Sequence, residues 1–363
     1  MIPDWYYNFY GDIRPFADNF ECMKRWVLFH QKAYQKPDFT IDFCNYGDWV
    51  DGSWIKDTLD KRTTSRPLMS TAYYYNNCRI VARAARLLGK AEDAKLFDEL
   101  AAKVKAGFNA RFFNPKTNRY ESETQGSYVF PLAFGLIPED HRAAVINNLV
   151  DEILVKHKGH TSVGLVGMQW FMQVLTDAGR ADVAYAVATQ TTRPSWGYMV
   201  SKGATTSWER WDTDIQDGGM NGESQKILSG NFEAWAYQTL GGINYDPDRP
   251  GFKHVILRPR PVGDLTFVRA SHRSLYGSIV SDWKIDKNTF FWTLAIPPNT
   301  SATVYVPVTE PASVIEGDTP ASRAEGVKFL RMESGSAVYS IGSGTYSFRG
   351  GPLNLGSLSL SQP

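Results

Sequence analysis

The residues most able to do chemistry lie in one run, Ala204-Thr205-Thr206-Ser207-Trp208-Glu209-Arg210-Trp211-Asp212. It sets one carboxylate, Glu209, between two indoles and beside an arginine. Pro194-Ser195-Trp196-Gly197-Tyr198 runs ahead of it, and Gly203 opens it. Indole faces stack on the apolar C–H face of a pyranose ring, and a carboxylate beside them moves a proton or holds a hydroxyl. A plainer reading stands next to this one: two tryptophans three apart belong to a core, and Glu209 pairs with Arg210 or Arg193 as a structural ion pair.

Cleavage of a glycosidic bond needs two carboxyl groups, one protonating the leaving oxygen and one activating water or attacking. In inverting enzymes the two stand about 6.5–9.5 Å apart, and in retaining ones closer. The candidates are Glu209, Asp48, Asp51, Glu121, Glu123, Asp212, Asp214 and Glu223. Glu209 leads on its aromatic neighbours, and Asp48 follows because Gly47 and Trp49 flank it in a second aromatic stretch. Asp212 and Asp214 also read as solvated loop acids, and Glu121 and Glu123 as surface acids. No Ser-His-Asp arrangement, phosphate-binding loop or dinucleotide turn is present.

These residues need elements to hold them. The chain has 363 residues, 43% hydrophobic and 21% charged, which suits a globular protein of two domains. A net charge of +1 points to no nucleic-acid or anionic-membrane partner, while an aromatic content of 13% fits carbohydrate chemistry or a large core. Cys22, Cys44 and Cys78 form no metal-binding spacing, and reduced thiols are the expectation. No cofactor is implied, because protonation and water activation need only carboxyl groups. The N-terminus has no basic-then-apolar leader, so no signal peptide is read and the compartment stays open.

Helical spacing predicts helices over 18–35, 67–88, 92–108, 138–157, 165–178, 181–191 and 224–240. Pro131 is expected to interrupt the chain before the fourth. Leu88-Gly89-Lys90-Ala91 is short enough to make its flanking helices antiparallel neighbours. Two long loops stand out. Residues 35–54 carry Asp48, Trp49, Asp51 and Trp54, and residues 194–222 carry Glu209. Helix pairs joined alternately by short turns and long loops describe a toroid of α-hairpins. After Gly242 the period falls to two and turn residues recur, which predicts an antiparallel β-sandwich of accessory character. The expected domains are therefore 1–245, helical and catalytic, and 246–363, β.

Tyr46-Gly47-Asp48-Trp49, Pro194 to Tyr198, Gly203 to Asp212 and Pro250-Gly251-Phe252 ahead of a β domain resemble, in order and spacing, the α-L-rhamnosidases of glycoside hydrolase family 78. The resemblance runs from near Trp5 to about Val308. It implies an (α/α)6 six-hairpin barrel followed by a C-terminal β-sandwich, acting on terminal α-L-rhamnosides with inversion. It also implies Glu209 as the base that activates water, with Asp48, Trp49, Trp196, Arg210 and Trp211 at the sugar. The departures are specific. The family's proton donor sits in an Arg-Glu-Arg-x-Gly-Trp-x-Gly-Asp-like motif upstream, and no such motif occurs here. Where the family has an Asn-His pair, this sequence has Gly222-Glu223-Ser224-Gln225-Lys226, which makes Glu223 or Gln225 the substitute sugar contact. The resemblance thus describes the C-terminal portion of a rhamnosidase, its barrel incomplete at the N-terminal end and its open helix faces available for self-association. Two other readings remain: a non-catalytic rhamnoside-binding protein, and another (α/α)6 glycosidase with Asp48 or Asp51 as its acid.

Overall fold

The computed structural model describes residues 1–55, 61–215 and 227–353. The helices in chain order are α1 (Ile2–Tyr10), α2 (Arg14–Tyr34), α3 (Arg66–Leu87), α4 (Ala91–Phe112), α5 (Gln125–Phe134), α6 (Arg142–Asp151), α7 (Leu165–Asp177), α8 (Ala181–Ala188), α9 (Trp196–Ser201) and α10 (Ile227–Trp235). By their contacts the residues divide into two compact units, one of Phe16–Phe232 with Met1, the other of Ile2–Pro15 with Glu233–Pro363.

The helical unit is built from neighbours in sequence. α3 and α4 make the largest helix–helix contact, as the short link between them requires. Gly89 adopts φ +71°, and the N–H of Lys90 returns to the carbonyl of Ala85, closing α3 in the left-handed way that glycine permits. The stripe read from sequence on α4, Phe97, Leu100, Val104 and Phe108, is buried. Further contacts join α5 to α7, α7 to α8, and α5 to both α3 and α6.

Three helices differ from expectation. Pro131 lies inside α5 instead of breaking it; all of α5 but Ala133 is buried, and Thr124 caps its first turn by accepting the N–H of Ser127. Burial of nearly the whole element outweighs the missing proline donor. The predicted loop over 194–222 contains α9, whose start is capped by Ser195. The aromatic N-terminus forms α1, which packs in the β unit: the Phe9 ring lies 5.3 Å from that of Tyr245 and 5.9 Å from that of Phe252.

The remaining strands are β1 (Phe113–Asn114) and β2 (Arg119–Tyr120), a small hairpin after α4, and then β3 (Ile243–Tyr245), β4 (His254–Leu257), β5 (Phe267–Ser274), β6 (Gly277–Asp286), β7 (Thr289–Ile296), β8 (Ser301–Val306), β9 (Ile315–Glu316), β10 (Thr319–Pro320), β11 (Val327–Glu333), β12 (Ser336–Ile341) and β13 (Gly344–Gly350). The second group forms two sheets, ordered β10-β9-β13-β7-β6-β5 and β11-β12-β8-β4-β3. Pairing is antiparallel except between β4 and β8, which run parallel. The period of two puts Ile279 and Trp283 of β6, and Phe290, Trp292, Leu294 and Ile296 of β7, into a core shared with Val255, Val304 and Tyr339 of the other sheet. Both buried indole donors are satisfied, Trp292 Nε1 by Ser281 Oγ at 2.9 Å and Trp283 Nε1 by the carbonyl of Leu240 at 2.7 Å.

Trp292→Ala removes that ring and leaves Ser281 unpaired. We expect a loss of about 3–5 kcal/mol in urea unfolding of the full chain; a change below about 1 kcal/mol contradicts this packing.

Candidate active site

The loop between α2 and α3 is fastened to the start of α7 by its own carboxylate. Asp48 is 4% exposed. Its Oδ2 accepts the N–H of Gly164 at 2.8 Å, and its Oδ1 accepts the N–H of Gly167 at 2.8 Å. These are unpaired donors of a helix N-terminus, where the macrodipole favours negative charge. The main chain adds two more ties: Leu165 N–H to the carbonyl of Trp49 at 2.7 Å, and Gly52 N–H to the carbonyl of Ser162 at 2.9 Å. The approach is close enough to require glycine on α7. A Cβ on Gly164 would lie 2.3 Å from the carbonyl oxygen of Asp48, and one on Gly167 would lie 2.7 Å from Asp48 Oδ2. Burial pushes the Asp48 carboxyl up from 3.8 to about 6, against the pull of the Gly167 and Gly164 hydrogen bonds, with the charge of Asp51 adding to the rise.

Above this foot the loop displays aromatic surface. Trp49 lies 4.5 Å from Trp54 and 5.4 Å from Tyr46, ring to ring. Tyr46 is 71% exposed and Trp54 38%. Asp51 caps the single turn Gly52–Trp54 by accepting from both the N–H and the hydroxyl of Ser53. A cavity of about 220 Å³ opens beside the start of the loop, lined by Trp26, His30, Phe43, Tyr73 and Asn77 among others. No Asp, Glu, Lys or Arg lines it, which suits an uncharged ligand.

The second segment comes to the first through an arginine. Arg210 donates from Nη2 to the carbonyl of Trp54 at 2.6 Å and from Nε to Asp212 Oδ1 at 3.2 Å, with its guanidinium 5.6 Å from the Trp54 ring centre. Trp211 is 1% exposed and meets Trp196 edge to face at 5.4 Å; Trp208 is buried as well. Glu209 is half-buried between them. Among the described residues its carboxylate takes part in no hydrogen bond or ion pair. The structural ion pair between Glu209 and Arg210 therefore does not form; Arg210 pairs with Asp212 instead.

The structure thus brings together the Asp48–Trp54 loop and the segment of Glu209, Arg210 and Trp211, with Trp196 packed against Trp211. The other acids lie in separate contacts. Glu123 pairs with Arg119, Asp214 accepts the hydroxyl of Tyr198 at 2.8 Å, and Glu121 is exposed. Glu223 and Gln225 lie outside the described residues. Sequence reasoning missed Gly164 and Gly167 as the receiver of Asp48. Their spacing at the head of a predicted helix, after the Gly-bounded loop 159–164, was the available signal. It missed the Trp54 carbonyl entirely, since a main-chain acceptor leaves no mark on residue type.

Comparison with known proteins adds the following. Residues 1–240 match the bacterial alpha-L-rhamnosidase six-hairpin glycosidase domain, and residues 242–319 the bacterial alpha-L-rhamnosidase C-terminal domain. The chain is 33% identical over 351 residues to an alpha-L-rhamnosidase of Streptomyces avermitilis, covering 96% of this chain and 32% of that protein. It is 29% identical over 353 residues to one of Formosa agariphila, covering 96% and 38%. Among solved structures, the S. avermitilis alpha-L-rhamnosidase complexed with L-rhamnose superposes with a TM-score of 0.85 at 32% identity, covering 96% of this chain and 32% of that one. The alpha-L-rhamnosidase of Dictyoglumus thermophilum gives 0.85 at 33% identity, covering 95% and 38%. The chain spans about a third of the length of the curated relatives it matches.

The buried carboxylate has a pH signature. With its pKa raised in the folded state, Asp48 contributes stability that is full below about pH 4 and lost as pH rises through about 6. In paired urea titrations, the stability of the natural chain relative to Asp48→Asn should fall by roughly 3 kcal/mol between pH 4 and 7. A pH-independent difference contradicts a buried, titrating Asp48.

Proposed function

This chain belongs to the bacterial α-L-rhamnosidase family of six-hairpin glycosidases, and we propose that it acts in the hydrolysis of terminal α-L-rhamnosides, with Glu209 as the general base that activates water. The observation that carries the reading is the state of Glu209: a half-buried carboxylate set between two buried tryptophans, with no partner among the described residues. A structural acid at such a site would be paired, as Asp212 is by Arg210. An unpaired one is free to take a proton from water.

In an inverting reaction the base removes a proton from water as the water attacks the anomeric carbon on the face opposite the leaving oxygen, and a separate acid protonates that oxygen. Glu209 fills the first role. The exposed rings of Tyr46 and Trp54, with Trp49 between them, offer faces for the apolar side of a 6-deoxy sugar. The likeness to a structure holding L-rhamnose supports that sugar as ligand.

A second reading, with Asp48 as the proton donor, has one observation in its favour: its carboxyl is pushed up to about 6, near where a general acid works. The geometry weighs against it. The carboxyl is 4% exposed and both of its oxygens accept main-chain N–H groups, so it is turned to the protein and offers a substrate little access.

Glu209→Gln keeps the shape and removes the base. Turnover of an aryl α-L-rhamnoside should fall by about 10²–10⁴, with L-rhamnose binding by calorimetry retained. Undiminished turnover in this variant rules Glu209 out as the base. NMR of the first product should show the inverted anomer, and the retained anomer would contradict the mechanism.

A further inference from the structure

We propose that Arg210 is a positioning residue: it struts the Glu209 segment against the aromatic loop, and Asp48 is the foot on which that loop stands, so neither side chain serves as a sugar ligand. This rests on the reading of Glu209 as the base.

Arg210 has its charge committed to Asp212 and donors on Nε and Nη2 committed to protein acceptors. Its side chain is 13% exposed, and its carboxylate partner Asp212 is 1% exposed. One donor goes to Asp212 and another to the carbonyl of Trp54, 156 residues away in the chain. The hydroxyl of Thr213 donates to the Arg210 carbonyl at 3.0 Å, which fixes the backbone on the same side. A planar guanidinium serves this arrangement because its fork presents several N–H groups in fixed directions, which an ammonium does not.

Two consequences follow for Glu209. The residue next to it is pinned to the loop that carries Trp49 and Trp54, so its carboxylate is held in register with the aromatic faces. The cation beside it is also neutralised by Asp212, which keeps an adjacent positive charge from capturing the base. The foot extends the same logic. The Trp54 carbonyl ends the turn that Asp51 caps, and that turn is tied through Gly52 to Ser162 and through Asp48 to Gly164 and Gly167. From the start of α7 to Arg210, the residue beside Glu209, hydrogen bonds alternate with short stretches of the covalent chain, an arrangement that restrains where the neighbouring carboxylate can stand.

The test uses the full chain and three variants: Arg210→Lys, Arg210→Met and Asp48→Asn. Hydrogen exchange followed by mass spectrometry reads the strut directly. Arg210→Met should accelerate exchange by about tenfold in both 52–55 and 207–212, with the β unit unchanged. Asp48→Asn should accelerate 46–55 together with the first turn of α7. In kinetics on an aryl α-L-rhamnoside, Arg210→Lys should lower kcat by about 10²-fold while KM moves less than about threefold. Failure of the lysine to restore kcat separates geometry from charge. If Arg210→Met does not fold, Arg210→Lys carries both readouts. Unchanged exchange at 52–55 overturns the strut. A raised KM with kcat intact overturns it too, by showing that Arg210 holds the sugar. If the natural chain shows no turnover, the proton donor expected from the upstream motif is what is wanting, and the exchange data alone decide the strut.

Discussion

The carboxylate of Asp48 accepts two N–H groups at the start of α7, and the candidate site depends on that contact. A buried carboxylate is costly unless its oxygens are satisfied. Here the helix terminus supplies donors that would otherwise lack partners, and its dipole supplies a favourable field. The loop gains a fixed point below its aromatic rings, and α7 gains a cap it lacks locally, since Gly164 has no side chain to provide one. The closeness of the contact, with glycine required at 164 and 167, makes the geometry intolerant of displacement.

From this foot the order passes outward in hydrogen bonds. The loop presents Trp49 and Trp54, the Trp54 carbonyl receives Arg210, and Arg210 fixes the residue beside Glu209. Among the described residues, every acid in this series except Glu209 has a partner. Burial divides the tryptophans in the same way. Trp208 and Trp211 are enclosed and shape the segment, while Trp54 keeps exposed surface.

Much of this was legible in the sequence. Helical spacing found α2, α3, α4, α7 and α8 because each carries an apolar stripe, and the period of two found β4, β6, β7 and β8 for the same reason. The run of Trp208, Glu209 and Trp211 marked the segment that Arg210 joins to the aromatic loop. Elements without a stripe escaped: α9 begins on a serine cap and carries Gly197, and α5 holds Pro131 within an almost wholly buried helix. The parallel pairing of β4 with β8 left no trace in either strand. The roles of Asp48 and Arg210 were hidden for a different reason. Their partners lie 116 and 156 residues away and are main-chain groups, so nothing in local residue type announces them. A carboxylate beside tryptophans reads as a sugar ligand, and nothing in its neighbours' residue types announces the main-chain donors that it accepts.

The central claim is a division of labour between two carboxylates, Glu209 free at the sugar and Asp48 bound beneath it. A crystal structure of the chain with L-rhamnose tests it most directly. The sugar should lie against the Trp49 and Trp54 rings, with a water or sugar hydroxyl within hydrogen-bond reach of Glu209 and Asp48 still on Gly164 and Gly167. A rhamnose hydroxyl on the Asp48 carboxylate, with Glu209 turned to a protein partner, would contradict it.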